Sequence, residues 1–203
     1  MAYVSKRRGR RRKTGLSFYS KDEKIGKNIA MEIGSYLFWT FAMMLLAFVL
    51  VFCFGIRTNV VGNGMEPTLS NGQSILINRF EYFLSRPNAG DVVVFLPNGN
   101  ENSHYYVKRI VAVPGDVVQI IDGYVYVNDV RYEEPGNFDR IDNPGIAENA
   151  IFLGEDEYFV LGDNRNASED SRSSNVGVVL RDYIVGKAWF HMQRKDEAMG
   201  FIK

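Results

Sequence analysis

The chain has 203 residues, of which 46% are hydrophobic and 13% aromatic, so a packed core is expected and an intrinsically disordered chain is excluded. The formal net charge is zero, but the charges are unevenly placed. Residues 1–27 hold ten lysines or arginines and two acidic residues, whereas the chain from Arg57 onward holds 14 and 21. This asymmetry predicts two parts in different environments. The single cysteine, Cys53, excludes an internal disulfide.

The first predicted element is a transmembrane helix over residues 35–56 (SYLFWTFAMMLLAFVLVFCFGI), which carry no charge. At about 1.5 Å per residue this segment spans about 33 Å, enough for a hydrocarbon core of about 30 Å. A buried helix of a soluble protein is usually shorter and keeps a polar stripe. A cleaved signal peptide would be shorter and would end in small residues, which Phe54–Arg57 does not match. We therefore predict an uncleaved anchor between a tail, 1–34, and a domain, 57–203.

The tail contains the basic run SKRRGRRRK at residues 5–13, and three more lysines approach the predicted span. The positive-inside bias places such a tail in the cytoplasm and the following domain outside it. A basic run is also typical of nucleic-acid binding. Beside a membrane span, attraction to anionic lipids explains it more simply, so we predict lipid contacts and no nucleic-acid partner.

From Arg57 on, short apolar runs alternate with turn signals, which predicts a mainly β domain. Asp122-Gly123 lies between two such runs and indicates a hairpin. Residues 129–157 have weak periodicity and are predicted to form a long excursion at the edge of the sheet, with little part in the chemistry. Residues 80–84 (FEYFL) fit either a surface loop or a segment that enters the membrane interface. The predicted strands are 74–79, 91–96, 105–113, 117–121, 124–128, 158–161 and 183–190.

Few residues outside these runs suggest a familiar site. No cluster has metal-ligand spacing, and GNGMEP is followed by neither the lysine nor the helix pattern of a phosphate loop, so no cofactor is predicted. The two histidines are His104 and His191. His104 begins a strand-like run and is predicted to be a surface residue, which argues against a Ser-His-Asp triad.

Lys108 is the charged residue of greatest chemical interest. Alternation along YYVKRIVAV places Lys108 on one face with Tyr106 and Ile110, among apolar groups. Desolvation disfavours an ammonium, so a buried lysine can act as a neutral base. A lysine that extends to solvent at the sheet edge fits the same pattern. The strand pattern alone leaves both possibilities open.

Three segments resemble the type I signal peptidases in sequence, order and spacing: VGNGMEPTL (61–69), YYVKRIVAVPGD (105–116) and LGDNRNASEDSR (161–172). The similarity extends over the anchor and roughly 57–190, in the single-span form typical of Gram-positive bacteria. It implies an all-β serine protease domain with a Ser–Lys dyad on a membrane anchor. The implied reaction removes signal peptides from secretory preproteins that have small residues three and one positions before the cut.

The resemblance also implies roles for particular residues. Lys108 matches the general base, and Ser168 matches the serine that orients it. Gly62 lies where an oxyanion donor is often found, so its backbone N–H and that of Gly64 would serve. Asp170 and Arg172 match a structural acid–base pair, and Asp163 and Arg165 are expected to belong to the same support. The supporting positions are Met65, Pro67, Tyr106, Asp163, Arg165, Asp170 and Arg172.

The chain departs from the family at residue 64, where the resemblance places the catalytic serine and the sequence has glycine. Gly64 has no oxygen with which to attack a carbonyl. Thr68 and Ser70 would lie about 13–20 Å further along an extended chain, too far to substitute. The resemblance therefore predicts the family but a strongly impaired activity.

Three interpretations of this departure remain. The chain is an ordinary signal peptidase substituted at its nucleophile, or a non-catalytic relative that binds preproteins or assists assembly of surface proteins. The third is a self-cleaving Ser–Lys repressor, which the membrane span and the lack of a DNA-binding segment disfavour.

Overall fold

The computed structural model describes residues 19–54, 56–193 and 198–202. These residues fall into two compact units that divide between Phe48 and Val49. The predicted basic run at 5–13 lies outside the described residues. The structure confirms the predicted fold class, an apolar helix followed by a mainly β domain.

The helix α1 (Tyr19–Phe54) contains one segment, Ile29–Phe52, that is long and apolar enough to cross a membrane by length and composition. This segment has 24 residues and a mean hydropathy of 2.1, and its length is about 36 Å. It begins earlier than the predicted 35–56, because the apolar residues around Glu32 outweigh that single charge. It also ends earlier, since Ile56 already belongs to the first strand.

The β domain consists of two antiparallel sheets. Eight strands form the large sheet in the order β1-β2-β11-β3-β4-β9-β10, with β12 paired to β11. These strands are β1 (Ile56–Asn59), β2 (Ser74–Asn78), β3 (Val92–Phe95), β4 (Tyr106–Ala112), β9 (Glu157–Leu161), β10 (Val179–Leu180), β11 (Ile184–His191) and β12 (Gly200–Phe201).

The middle of the large sheet is buried on both faces. Val92 and Val94 of β3 pack into one apolar cluster, and Val93 and Phe95 into another on the opposite face. This explains why β3 is a continuous apolar run rather than an alternating one. Its partner β4 pairs Val93 with Lys108, so the lysine lies on a strand between two buried strands.

The small sheet has the order β7-β6-β5-β8. Its strands are β5 (Val117–Ile121), β6 (Tyr124–Val127), β7 (Val130–Arg131) and β8 (Ile151–Phe152). The predicted hairpin is present: Asp122 and Gly123 adopt φ of 50° and 76°, and Ile121 pairs with Tyr124. This is the left-handed conformation that an Asp-Gly turn favours.

The prediction for residues 129–157 was wrong in its placement. They supply β7 and β8 to the small sheet, together with a 3-10 turn at Gly145–Glu148, rather than an excursion beside the large sheet. Their short apolar stretches gain pairing partners only from the β5–β6 hairpin, which the local pattern does not reveal. Another 3-10 turn, Pro97–Gly99, follows β3.

Residues 80–84 form a short helix rather than a loop, α2 (Glu81–Leu84). Tyr82 is buried and donates a hydrogen bond to Asp91 at 2.9 Å, whereas Phe83 and Leu84 are exposed. Phe80 and Phe83 stack with ring centroids 6.4 Å apart. The helix thus anchors one aromatic side chain in the domain and exposes a small apolar surface.

Candidate active site

Lys108 is buried and makes a specific contact at the end of its side chain. It is 7% exposed, and its Nζ donates a hydrogen bond to Ser168 Oγ at 2.8 Å. Burial lowers the pKa of the Lys108 ammonium below its ordinary value of 10.5, although the nearby Asp170 carboxylate acts in the opposite direction. The neutral amine that a general base needs is therefore more accessible than in an exposed lysine.

Gly64 lies directly beside this pair. A Cβ atom built on residue 64 would lie 2.8 Å from Lys108 Nζ and 3.3 Å from Ser168 Oγ. The carbonyl of Gly64 accepts a hydrogen bond from Asn164 N–H at 3.1 Å, which joins the segment to the loop that carries Ser168. The structure thus brings residues 64, 108 and 168 together, and the amine of Lys108 occupies space that a side chain at residue 64 would share.

Gly162 has a packing reason to be glycine. A Cβ atom there would collide with Ser168 Oγ and with the backbone oxygen of Gly64. Its backbone N–H donates to Asp170 Oδ2 at 3.0 Å. This close approach of the Gly162 backbone holds the Ser168 loop against the segment around Gly64.

Asp163 forms a buried ion pair with Arg109, the residue that follows Lys108. Arg109 Nε and Nη2 donate to the two carboxylate oxygens at 2.8 and 2.7 Å, and Thr68 donates to the same carboxylate at 2.5 Å. Arg109 also donates to the carbonyl of Gly90. Asp163 thus joins β4 to the 61–69 segment, and its role in the support of the site, with Arg165, stays a prediction.

Two further ion pairs stabilise the Ser168 loop. Arg172 donates from Nε and Nη2 to the carboxylate of Asp170 at 2.8 and 2.9 Å. Arg165 donates from both terminal nitrogens to Glu134 at 2.6 Å and from Nε to the carbonyl of Gly162. Asp170 and Arg172 are thus paired as the sequence predicts, while the partner of Arg165 comes from the chain between β7 and the Gly145–Glu148 turn.

The segment before Gly64 is fixed by backbone contacts. Gly62 has φ of 84°, a conformation that favours glycine, and its N–H donates to Asn71 Oδ1 at 3.1 Å. An oxyanion at this position would compete with the Asn71 side chain for that N–H. Met65 is buried in the apolar cluster that contains Val107, whereas Pro67 is exposed and follows a cis peptide bond.

A cavity of about 170 Å³ opens beside these groups. Tyr106 is half-buried at its edge, with its ring centroid 6.0 Å from Lys108 Nζ and its hydroxyl 3.3 Å from Glu169. His104 is exposed and packs against Tyr106, so it is a surface residue as predicted. The cavity is lined by residues 60–65, 104–108, Ala167 and Glu169.

Sequence reasoning missed three residues that touch the site: Glu134, Asn71 and Glu169. Each is a polar residue in a turn or loop, where the pattern gives no partner. The Gly-Asp-Asn-Arg run signals a structured loop, but not which carboxylate its arginine binds. Within the described residues, no group of three or more histidine, cysteine, aspartate or glutamate side chains is arranged to hold a metal ion.

Comparisons with known proteins give one consistent result. Residues 33–193 match the family model described as signal peptidase, peptidase S26. Signal peptidase IB of Staphylococcus aureus is 35% identical over 164 residues, covering 71% of this chain and 83% of that protein. Signal peptidase I T of Bacillus subtilis is 33% identical over 138 residues, covering 64% and 70%. A crystal structure of a signal peptidase I from Enterococcus faecalis aligns with a TM-score of 0.39 and 26% identity, over 51% of this chain and 97% of that one.

Proposed function

The chain belongs to the signal peptidase family, peptidase S26. We propose that it is a membrane-anchored signal peptidase I in which Gly64 occupies the position of the nucleophilic serine. One observation carries the proposal. The amine of buried Lys108 lies 2.8 Å from Ser168 Oγ and 2.8 Å from the place of a Cβ on residue 64. Base, orienting serine and nucleophile position converge, and a single hydroxymethyl group is lacking.

With serine at residue 64, the proposed reaction is acyl transfer. Neutral Lys108 takes the hydroxyl proton while the oxygen attacks the scissile carbonyl. Lys108 then gives the proton to the leaving amine, and an acyl ester remains on residue 64. Water that Lys108 deprotonates releases the acid. Ser168 positions the amine through its hydrogen bond, and the backbone N–H of residue 64 supports the oxyanion, with Gly62 available once Asn71 is displaced.

The proposed substrates are secretory preproteins. Their extended chain would lie along the 60–64 and 104–108 segments, which line the same cavity, and add main-chain hydrogen bonds as an extra strand. Small side chains one and three residues before the cut belong to the proposal, as the resemblance to the signal peptidases implies.

The proposed topology has the N-terminal tail in the cytoplasm, the apolar segment Ile29–Phe52 in the membrane and the β domain from Ile56 onward outside. The charge asymmetry and the single apolar segment Ile29–Phe52 support this orientation. The basic tail would contact anionic lipids, and the exposed Phe83 and Leu84 of α2 suit the membrane interface. Protease added outside intact cells should digest the domain but spare the tail; digestion from the cytoplasmic side would contradict the orientation.

The decisive experiment is Gly64→Ser, with Gly64→Ala as a control of similar size without the oxygen. A preprotein with an Ala-x-Ala site is mixed with each full-length protein in detergent, and cleavage is followed by gel and mass spectrometry. We expect the Gly64→Ser protein to cleave about 10⁴-fold faster than either the unmodified chain or the Gly64→Ala protein, on the precedent of removing a nucleophile from serine proteases. Equal cleavage by all three proteins would show that residue 64 is not the nucleophile position.

A second function, binding preproteins without cleaving them, is supported by the intact surroundings of Gly64. The Lys108–Ser168 contact and the ion pairs of Asp163 and Asp170 remain although the chain lacks the nucleophile. If Gly64→Ser stays inert but binds the Ala-x-Ala peptide as tightly as the unmodified chain, this second function is favoured over the first.

A further inference from the structure

The hydroxyl that contacts Lys108 in this chain is that of Ser168. The Nζ–Oγ distance of 2.8 Å is the spacing of a nucleophile hydrogen-bonded to its base. In a chain with serine at residue 64, the lysine would be shared between two hydroxyls. Gly64 has no hydroxyl, so no side chain at residue 64 competes with Ser168 for a hydrogen bond to the amine of Lys108.

Ser168 also faces a space that the preprotein cleft does not include. A second cavity has a volume of about 530 Å³, and Lys108 lines only the smaller cavity described above. The second cavity is lined by Asp142, Asn143, Gly145, Ile146, Arg165, Asn166, Ser168, Arg172, Ser173 and Ser174. Ser168 is half-buried: its hydroxyl contacts the buried base, and the residue forms part of the wall of this polar cavity.

The same cavity wall contains a cationic hydrogen-bond donor. Arg172 lines the cavity, and its Nη1 makes only a long contact of 3.3 Å with the carbonyl of Asn143. Its other nitrogens are held by Asp170 and by the carbonyl of Arg165. A guanidinium on the cavity wall supplies positive charge and one weakly engaged donor to a group bound in the cavity.

We propose that Ser168 and Lys108 form a second Ser–Lys dyad, which transfers acyl groups from small esters or short peptides that enter the 530 Å³ cavity. The proposal rests on the proposed function only in using Lys108 as the base. In the step, Ser168 Oγ bonds to the acyl carbon and its proton passes to Lys108 Nζ. The bond to the leaving group then breaks, and Lys108 gives that proton to the leaving alkoxide or amine, which restores the neutral base. Water deprotonated by Lys108 then hydrolyses the acyl ester and regenerates Ser168.

The state of Lys108 agrees with this direction of proton transfer. Burial lowers the pKa of the Lys108 ammonium below 10.5, so the neutral amine forms at a lower pH than in an exposed lysine. The hydrogen bond then reverses, and the Ser168 hydroxyl donates to Nζ.

The probe for this site is p-nitrophenyl acetate, which is small and has a good leaving group. The full-length Gly64 protein is treated with it, p-nitrophenolate release is followed, and the acetylated residue is located by fragmentation mass spectrometry. We expect acetyl on Ser168, none there in Ser168→Ala, and release about 100-fold slower in Lys108→Met. Ser85→Ala is the matched control: it also lacks a serine hydroxyl, but one that bonds only locally to the carbonyl of Glu81 in α2.

Three results would overturn the inference: acetyl on Lys108 instead of Ser168, an unlabelled Ser168, or equal labelling of Ser168 in Lys108→Met. Melting curves of each variant establish that it is folded. The Gly64→Ser protein separates this inference from the proposed function. Restored preprotein cleavage with an unlabelled Ser168 rejects the second dyad alone, whereas a labelled Ser168 with an inert Gly64→Ser protein rejects the proposed function alone.

Discussion

Replacing Asp163 with asparagine should strongly destabilise the β domain. The side chain of Asp163 is 0% exposed and that of Arg109 is 3% exposed, so neither charge has water as an alternative partner. Asparagine keeps the shape and one acceptor oxygen, but it removes the negative charge. Arg109 then lies buried without the carboxylate that accepts two of its hydrogen bonds, and the amide nitrogen of asparagine opposes the donors of Arg109 and Thr68.

The magnitude follows from the geometry of this pair. Two parallel charge-assisted hydrogen bonds of 2.7–2.8 Å are lost in a fully buried site. Removing one partner of such a pair costs about 3–5 kcal/mol, mostly because the other charge remains in the interior. For a domain of about 150 residues each kcal/mol lowers Tm by about 2–4 °C, which gives a fall of roughly 6–20 °C.

The assay is thermal unfolding of the full-length protein in detergent, followed by near-ultraviolet circular dichroism. Glu81→Gln is the matched control, since it makes the same acid-to-amide change in a pair with Lys187 whose side chains are 35% and 27% exposed. We expect at most about 1 kcal/mol there, because partly exposed pairs contribute little. The double change Arg109→Met with Asp163→Leu should recover much of the loss. A fall in Tm for Asp163→Asn no larger than the control's would refute the reasoning.

Three further predictions concern the site itself. Gly162→Ala should destabilise the protein by about 1–3 kcal/mol and lower the activity of the Gly64→Ser protein, because the added methyl group collides with Ser168. Gly154→Ala is the control, since a methyl group there meets only the flexible side chain of a glutamate. Equal effects of the two changes on the melting temperature would contradict this. In the Gly64→Ser protein the cleavage rate should rise with pH to a half-maximum below 10.5, because burial lowers the pKa of Lys108; a half-maximum at or above 10.5 would count against a buried base. Lys108→Met should raise stability in urea titrations near neutral pH, where the folded state must bury an ammonium. That gain should fade as the pH rises towards 10.5, and a gain independent of pH would contradict the cause.

The elements that local pattern determines were predicted well. β5 occupies the predicted residues 117–121, and Asp122-Gly123 forms its hairpin because an Asp-Gly pair tolerates the left-handed backbone that a two-residue turn requires. By contrast β7, β8 and β10 have two residues each, too few for any periodicity. Such strands exist only because a longer strand lies beside them, which the sequence of the short strand does not record.

The same division holds at the site. The alternation in β4 predicted that Lys108 shares a face with Tyr106 and Ile110. In the structure Tyr106 and Ile110 belong to or pack against the same apolar cluster. Which acid meets which arginine was not predictable, since Arg109 and Asp163 are 54 positions apart and Arg165 and Glu134 are 31. Charge pairing in a buried site depends on tertiary distances. Several carboxylates in these segments have similar local sequence surroundings, so the sequence does not indicate which of them pairs with which arginine.

Gly64 and Gly162 show that two glycines in one site have different causes. Gly162 is required by packing, because any Cβ atom there meets Ser168 and the backbone of Gly64. Gly64 has no left-handed φ, and its nearest obstacle is the flexible end of Lys108, 2.8 Å from the Cβ position. A shift of the lysine amine, the far end of a flexible side chain, would therefore make room for a Cβ atom at residue 64. The backbone conformation does not demand glycine at residue 64, so under the proposed function its presence there changes the chemistry of the site and not its architecture.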